Sequence, residues 1–454
     1  GLTHPLRSLA HRLRRVASLV AVTVVALGKI GLPLAVQIAS KGHQVYGADV
    51  NAEVVRLVNE GVPPFPGETD LDVKLREVVS AGRLTATTDT AAAVADSDTV
   101  VLVVPLVVDD ESRPDFGAMD AATRAVAKGL RPGTLVSYET TLPVHTTRER
   151  FGPMLEEGSG LTIGTDLFLC HSPERVFTGR VFADLRRYPK LVGGTDPESA
   201  KRAVEFYESI LDFDDRPDLD RPNGVWDLGS AEAAELAKLA ETTYRDVNIA
   251  LANQFARFAD RVGIDVHAVI KASNSQPFSH IHSPGIAVGG HCIPVYPRFY
   301  LFNDPDATVV SAARAANVEM PSYAVSLLDS ALGGLTGKRV AVLGVAYRGG
   351  VKETAFSGVF PTVAALRDAG AEVLVHDPMY TDDELIAMGF TPYAIGDAAD
   401  GVVVQSDHRE YASLGASDFP GAVAVVDGRR ITDASSWAGV RRIVLGAGEA
   451  PAER

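Results

Sequence analysis

Short runs rich in valine alternate with helix-like stretches along the first half of the chain. Six runs are predicted as strands, at residues 22–27, 44–48, 99–104, 134–138, 167–170 and 191–192. Nearly continuous apolar strands separated by helices are typical of a parallel sheet that is covered by helices on both faces. The pattern therefore predicts a first α/β domain with parallel strands.

A long segment without glycine or proline follows a loop at residues 212–223 that is rich in aspartate and proline. Ala231–Val262 carries apolar residues at mostly helical spacing and predicts one helix of roughly 48 Å, long enough to join domains or subunits. Runs at residues 339–343, 372–375, 401–404 and 422–426 then predict a second parallel sheet. Both halves share a strand–turn–helix–strand–Asp plan, which ends at Asp49 in the first and at Asp377 in the second.

These patterns predict the domain organisation. A chain of 454 residues is long enough for two or three domains. We predict a basic N-terminal extension at residues 1–15, an α/β domain at 16–205, a helical central domain at 206–325 and a second α/β domain at 326–454. The predicted fold class is α/β, with two Rossmann-like doubly wound parallel-sheet domains joined by a helical central domain that contains a long helix.

Charge and cysteine content narrow the function classes. The formal net charge of −15 disfavours nucleic acid and anionic membrane surfaces as partners, and no run has the 18 or more apolar residues of a membrane span. With only two cysteines, Cys170 and Cys292, a disulfide scaffold is not expected, and a reducing, cytoplasmic location is predicted. No histidine, cysteine or carboxylate spacing suggests a metal site.

The first predicted strand leads into a turn that is typical of dinucleotide binding. Gly28, Lys29, Ile30 and Gly31 precede a helical stretch, and Asp49 ends the next strand. Such glycines let the backbone approach a pyrophosphate, and the carboxylate binds ribose hydroxyls, which favours NAD over NADP. Ala26 stands where the first glycine of the usual motif would be, which costs little if its φ stays negative. The alternative is that Asp49 only caps the following turn.

Three further segments carry candidate chemistry. Cys292 lies in Gly-Gly-His-Cys-Ile-Pro at residues 289–294, where the two glycines would permit close approach of a ligand and the histidine would favour a thiolate. Lys238, Thr242 and Arg245 share one face of the long helix. Glu174 and its neighbour Arg175 follow a predicted strand, at the sheet edge where α/β domains bind ligands. The alternatives are a packing cysteine and a solvated polar stripe.

At these residues the sequence resembles the UDP-glucose/GDP-mannose dehydrogenase family of nucleotide-sugar 6-dehydrogenases over nearly its whole length. Residues 26–35 resemble the family's opening turn. The segments at residues 172–176, 244–250 and 289–294 are specific to the family, and they are most similar to the branch acting on UDP-N-acetylhexosamines. Residues 344–348, 377–378 and 427–429 resemble the family's nucleotide-sugar domain.

The resemblance implies two successive NAD-dependent oxidations, which carry the sugar C6 alcohol through an aldehyde to a carboxylate. It implies Cys292 as the nucleophile that forms a thiohemiacetal and a thioester, Lys238 as an oxyanion or proton partner, and Glu174 in thioester hydrolysis. Thr141 would position water or the nicotinamide.

Further expectations from the resemblance concern binding and assembly. The first α/β domain would bind NAD and the second the nucleotide sugar, with both meeting in a cleft, and a homodimer would form through the long helix. The implied cofactor contacts are Gly28, Lys29, Ile30, Gly31, Asp49 and Pro105. The implied substrate contacts are Arg175, Arg245, Asn248, Gly289, Tyr347, Arg348 and Arg429.

Four positions depart from the family pattern. Thr242 replaces an asparagine, Tyr296 an aspartate, Phe278 an arginine and Ala355 the arginine of a C-terminal Arg-Glu-Ser. A hydroxyl is a shorter and differently directed oxyanion donor than an amide, so Thr242 remains a candidate catalytic residue with a changed role. Two alternatives therefore stay open: an enzyme that performs only a two-electron oxidation or a redox-neutral epimerisation or elimination, and a non-catalytic nucleotide-sugar binder.

Overall fold

The computed structural model describes residues 19–448, which divide into two compact units. One unit ends at Leu239 and the other begins at Ala240, so the division falls within a single helix. The predicted basic extension at residues 1–15 lies outside the described residues. The predicted boundaries at 16–205, 206–325 and 326–454 stay predictions.

An eight-stranded sheet forms the centre of the first unit. Its strands are β1 (Ala21–Val25), β2 (Gln44–Ala48), β3 (Leu84–Thr87), β4 (Thr99–Leu102), β7 (Leu135–Tyr138), β8 (Phe168–His171), β9 (Lys190–Gly194) and β10 (Val225–Asp227), and a separate ribbon pairs β5 (Val107–Val108) with β6 (Pro114–Asp115). The order across the sheet is β10-β9-β8-β7-β4-β1-β2-β3. All neighbouring strands are parallel except β8 and β9. The predicted parallel sheet is thus confirmed with one exception.

The antiparallel strand β9 matters for the site. It pairs with β8 through only Cys170 with Gly194 and His171 with Gly193, so β9 starts at the edge of the sheet where β8 ends. The expectation of a wholly parallel sheet was wrong for β9. After β8 the chain turns back at the edge where β8 ends, instead of crossing the face of the sheet to the opposite edge, so β9 runs antiparallel to β8. Lys190, the first residue of β9, consequently lies among the residues that follow β7 and β8.

Helices cover both faces of this sheet. They are α1 (Gly31–Ser40), α2 (Ala52–Asn59), α3 (Leu71–Ser80), α4 (Thr90–Ala95), α5 (Gly117–Gly129), α6 (Gly152–Ser159), α7 (Val181–Arg187) and α8 (Pro197–Ile210), with one π-helical segment at Thr146–Phe151. The apolar α1 is buried along most of its length, since its residues pack against β1, β2 and α3. This burial fixes the turn between β1 and α1 on the core.

Helix α9 is Ala231–Val262, as predicted from the lack of glycine and proline. The second unit continues with α10 (Val266–Ser273), α11 (Tyr296–Asn303), α12 (Thr308–Val318), α13 (Met320–Leu332), α14 (Val359–Asp368) and α15 (Asp382–Ala387). Short 3₁₀ segments at Arg409–Ser413 and Ala416–Asp418 follow.

The second sheet has five parallel strands in the order β12-β11-β13-β14-β15. They are β11 (Arg339–Leu343), β12 (Glu372–His376), β13 (Gly401–Val404), β14 (Ala424–Asp427) and β15 (Arg441–Val444). Alternate residues of β11 enter different hydrophobic clusters, Val340 and Val342 on one side and Ala341 and Leu343 on the other, so both faces are covered. The predicted fold class of two Rossmann-like sheets with a helical region containing a long helix is confirmed. No helix within residues 19–448 is long and apolar enough to cross a membrane.

Candidate active site

The turn between β1 and α1 has the shape of a dinucleotide cradle. A Cβ added at Gly28 would meet nothing within 4 Å, so its exposed backbone is open to a ligand. A Cβ at Gly31 would lie 1.9 Å from the Ala26 carbonyl oxygen, so only glycine fits where α1 begins. The open position allows a pyrophosphate to approach, and the tight one holds the helix N-terminus against the turn.

Ala26 differs from the expectation of a negative φ. Its φ is +75°, in the left-handed region where glycine is favoured, and its N–H donates to the Ala48 carbonyl at 2.8 Å. The second unit has the same arrangement with a glycine: Gly344 has φ +106° and donates to the His376 carbonyl at 2.7 Å. The turn therefore keeps the geometry of the usual motif even though alanine strains it.

Asp49 ends β2 and organises this turn. Its carboxylate accepts hydrogen bonds from the backbone N–H groups of Leu27 and Asn51, both at 2.9 Å. Asp377 does the same after β12, where it accepts from Val345 and Met379, which confirms the shared plan of the two halves. Asp49 caps its turn, and a carboxylate has further acceptor positions for ribose hydroxyls. The residues present thus fit NAD, and Pro105 is exposed in the loop after β4 on the same edge of the sheet.

Charged side chains at the ends of β7 and β8 and at the start of β9 form a buried group in the first unit. Glu139 and Thr141 follow β7, and both are buried. Glu174 follows β8, and its backbone N–H donates to the Glu139 carbonyl at 3.0 Å. Lys190 opens β9, with its Nζ 2.9 Å from Glu139 Oε2 and 3.5 Å from Glu174 Oε2. The structure therefore surrounds the predicted Glu174 with partners from two other strands.

Glu174 is held locally as well. Its Oε1 accepts from the backbone N–H groups of Arg175 at 2.6 Å and Val176 at 3.1 Å. Burial opposes its ionisation, but Lys190, these donors and the charge of Lys238 on α9 together bring its pKa below the usual value. The charge of Lys238 thus contributes to the lowered pKa of Glu174. Arg175 is tied down too, because its guanidinium donates to the Pro189 carbonyl at 3.1 Å.

Three other predicted site residues, Thr242, Arg245 and Asn248, follow Lys238 on α9 and differ from one another in burial and contacts. Thr242 is buried and Arg245 is half-buried. Asn248 uses its amide to hold a loop, since its Nδ2 donates to the His280 carbonyl at 2.7 Å and its Oδ1 accepts from the His282 N–H at 2.9 Å. The described contacts of Asn248 are thus with its own chain.

Cys292 is exposed in the turn that leads into α11. Its carbonyl accepts from the N–H groups of Val295 and Tyr296, so the start of the helix fixes its backbone. The Nε2 of the neighbouring His291 lies 3.3 Å from Glu353 Oε2. Exposure excludes a core-packing role and leaves the thiol accessible to a substrate. Among the described residues, no group of three histidine, cysteine or carboxylate side chains could hold a metal ion.

The two glycines before Cys292 serve a different purpose from the one expected. A Cβ on Gly289 would lie 2.5 Å from Tyr347 Cβ and 2.9 Å from the Phe356 carbonyl oxygen. Gly290 has φ +97° and donates to the Ala355 carbonyl at 2.8 Å. The close approach that they permit is made by the chain itself, so they lock the cysteine segment onto the segments around Tyr347 and Ala355.

Two arginines of the second unit differ in burial, because Arg429 is half-buried and Arg348 is exposed. Arg429 Nε donates to the Gln405 carbonyl at 2.9 Å, and burial lowers the pKa of its guanidinium. Arg348 is exposed, with its Nε 3.3 Å from the Tyr347 hydroxyl. Phe278, at a position that departs from the family pattern, is 91% exposed.

Sequence reasoning missed Lys190 and the role of Glu139. Glu139 lies in the Glu-Thr-Thr segment that contains Thr141, and Lys190 directly precedes a predicted strand. A charged residue leading an otherwise apolar strand was the available signal, but its partners come from strands far apart in the sequence.

Comparison with known proteins places these sites in a family. Models of the UDP-glucose/GDP-mannose dehydrogenase family match at residues 20–211 for its NAD binding domain, 232–319 for its central domain and 341–434 for its UDP binding domain. A UDP-N-acetyl-D-mannosamine dehydrogenase from Pyrococcus horikoshii is 36% identical over 422 residues, which cover 90% of this chain and 95% of the relative.

Solved structures agree. A UDP-D-ManNAc dehydrogenase from Pyrococcus horikoshii superposes with a TM-score of 0.83 at 33% identity, covering 95% of this chain and 100% of the other. A UDP-glucose dehydrogenase from Pyrobaculum islandicum gives 0.82 at 28% identity, covering 99% and 100%. The predicted kinship, with its UDP-N-acetylhexosamine branch, and the predicted use of NAD are confirmed. The chain belongs to the UDP-glucose/GDP-mannose dehydrogenase family and is an NAD-dependent nucleotide-sugar dehydrogenase.

Proposed function

We propose that the substrate is a UDP-N-acetylhexosamine, with UDP-N-acetyl-D-mannosamine first among the candidates, and that its C6 alcohol is oxidised to the uronate. The observation that carries this proposal is the 36% identity with the Pyrococcus relative over 90% of the chain. NAD supplies the hydride acceptor in both oxidations. The reaction consumes one alcohol, two NAD⁺ and one water, and it yields one carboxylate, two NADH and three protons.

We propose that Cys292 provides the covalent step. Its sulfur adds to the C6 aldehyde, the resulting thiohemiacetal loses a hydride, and the thioester that remains is cleaved by water. Two observations support this role for Cys292: its side chain is exposed, and the start of α11 fixes its backbone. Lys238 would stabilise the developing oxyanion, and Thr141 and Thr242 would position the reacting groups.

Glu174 is the proposed general base for thioester hydrolysis. It takes a proton from the attacking water as the C–S bond breaks, and the departing sulfur leaves as a thiolate. Lys190, Lys238 and two backbone N–H groups favour the ionised carboxylate, which is the form that a base needs. Replacing Glu174 by glutamine should therefore leave the oxidations intact and slow the release of the uronate.

The substrate proposal is tested with a panel of UDP-N-acetylmannosamine, UDP-N-acetylglucosamine, UDP-N-acetylgalactosamine, UDP-glucose and GDP-mannose. We expect the highest kcat/KM with an N-acetylated UDP-sugar and a product heavier by one oxygen and lighter by two hydrogens. A product of unchanged mass, or one lacking only two hydrogens, would support the redox-neutral or two-electron alternative.

The proposed contacts for the nucleotide sugar are Tyr347, Arg348 and Arg429, with Arg175, Arg245, Asn248 and Gly289 around the sugar.

We propose that the chain forms a homodimer through α9. Leu251, Phe255, Phe258 and Val262 lie at spacings of three and four on this helix and are 38 to 54% exposed. An apolar stripe of this kind on a long helix is typical of an interface.

We further propose a reducing, cytoplasmic location. The free thiols of both cysteines support it.

A further inference from the structure

Three charged side chains meet beneath the outer surface of the first unit. Lys190 Nζ lies 2.9 Å from Glu139 Oε2 and 3.5 Å from Glu174 Oε2, and none of these three atoms has a further hydrogen-bond partner among the described residues. The side chains of Glu139 and Lys190 are 0% and 6% exposed, whereas that of Glu174 is 12% exposed. Glu174 is therefore the most exposed of the three side chains, although its Oε2 is buried.

The surroundings of this group add little compensating charge. Tyr207 donates its hydroxyl to Glu139 Oε1 at 2.6 Å, and its ring lies 4.8 Å from Lys190 Nζ. Burial raises the pKa of Tyr207 and raises that of the Cys170 thiol to about 12, so both stay neutral. Burial and Lys190 lower the pKa of His171 to about 3, so it is neutral as well. Lys238 on α9, which is half-buried, adds a positive charge that also acts on Glu174.

The charge balance of the buried group favours a retained proton. Lys238 is only half-buried and lies outside this group, so two ionised carboxylates beside the one buried ammonium would leave a net negative charge, which is costly. Burial, together with the charge of Glu174, raises the pKa of Glu139, whereas Lys190 helps to lower that of Glu174. Both effects place the proton on the deeper carboxyl and leave the outer one ionised.

We propose that Glu139 and Lys190 are positioning residues that hold Glu174 as the ionised member of a carboxyl pair sharing one proton. This inference rests on the proposed role of Glu174 as the base in thioester hydrolysis. Lys190 supplies the counter-charge, and Glu139 donates its proton towards Glu174 without adding a second negative charge. The pair makes a buried carboxylate usable as a base near neutral pH.

The test measures hydrolysis separately from oxidation. Enzyme in excess is mixed with UDP-N-acetyl-D-mannosamine and NAD, and uronate formed in a single turnover is followed from pH 5.5 to 9. Lys190→Met should move the acid limb of the hydrolysis rate upward by at least one pH unit, and so slow hydrolysis at least tenfold on that limb, because the largest influence that opposes the burial of the Glu174 charge is then removed. Lys190→Arg keeps the charge and should keep the limb within half a unit. An unmoved limb in folded Lys190→Met would overturn the proposal.

Two controls keep the result interpretable. Glu235→Gln removes another buried carboxyl of the same unit and should leave the limb in place. Glu174→Gln tests the underlying function: if hydrolysis is unaffected in it, the proposed base is wrong, whatever Lys190 does. If Glu174→Gln is slow while Lys190→Met behaves like wild type, only the positioning role fails.

A spectroscopic measurement covers the case in which Lys190→Met does not fold. The infrared difference between wild type and Glu139→Gln at pH 7 should contain the carbonyl stretch of a protonated carboxyl, which disappears at alkaline pH. A spectrum with only carboxylate bands at pH 7 would show that no proton is shared and would overturn the proposal.

Discussion

Replacing Gly28 by alanine should weaken NAD binding and leave the fold intact. An added Cβ meets nothing within 4 Å and Gly28 has no left-handed φ, so the free energy of unfolding should stay the same or rise by about 0.4 to 1 kcal/mol. The new methyl group would occupy the space through which a pyrophosphate approaches the backbone. We expect the Kd for NAD to rise about 10- to 100-fold, which is about 1.4 to 2.8 kcal/mol.

Gly31→Ala is the matched variant for this prediction. Its Cβ would lie 1.9 Å from the Ala26 carbonyl oxygen, which is backbone and can move only with the turn. Such overpacking costs about 1 to 3 kcal/mol. A unit of this size should then lose about 2 to 12 °C in Tm.

Calorimetric titration with NAD and a thermal melt of the unliganded protein separate the two effects. The expected pattern is weak binding with a normal Tm for Gly28→Ala and a lowered Tm for Gly31→Ala. Wild-type NAD affinity in Gly28→Ala would refute the assignment of this turn as the pyrophosphate cradle. An equal loss of Tm in both variants would contradict the difference in free space around the two Cβ positions.

Three further outcomes are expected. Asp49→Asn should reduce the preference for NAD over NADP in kcat/KM about tenfold, since the carboxylate that repels a 2′-phosphate is gone; an unchanged ratio would leave Asp49 as a cap only. Phe258→Asp should halve the molar mass measured by light scattering. Val423→Asp, at an exposed valine directly before β14, should not change it, and an unchanged mass for Phe258→Asp would exclude the proposed dimer interface. Burial raises the pKa of Glu235 to about 7, so its contribution to stability is present below the unfolded pKa near 4.5 and is lost as the pH rises through 7. Denaturant unfolding curves between pH 4.5 and 8 should show that this fall in the free energy of unfolding, at most about 3 kcal/mol, is absent in Glu235→Gln. The same dependence of the free energy of unfolding on pH in wild type and variant would contradict the prediction.

The regular parts of the fold were predictable from local sequence. The helix Ala231–Val262 and the strands Gln44–Ala48, Arg339–Leu343 and Gly401–Val404 have their predicted bounds, because glycine, proline and apolar runs delimit them. Strands Leu84–Thr87, Val225–Asp227 and Arg441–Val444 were not predicted. Each lies at the edge of its sheet and contains polar residues, so tertiary pairing rather than an apolar run defines it.

The site was predictable where chemistry lies in contiguous motifs. Cys292, Glu174 and the turn at Gly28 each carry a local signature. The strain at Ala26 and the contact of Gly289 with Tyr347 depend on backbone geometry that sequence spacing does not specify. Lys190 reaches Glu139 and Glu174 only because β9 runs antiparallel to β8, which no local pattern indicates.

The number of NADH molecules formed per sugar consumed distinguishes a four-electron oxidation from the alternatives. The measurement follows NADH absorbance and uronate mass together, with UDP-N-acetyl-D-mannosamine as the limiting substrate. We expect two NADH and one uronate for each sugar, and loss of uronate formation in Cys292→Ser. One NADH per sugar with an aldehyde product, or an altered sugar without NADH, would contradict the four-electron reaction through Cys292.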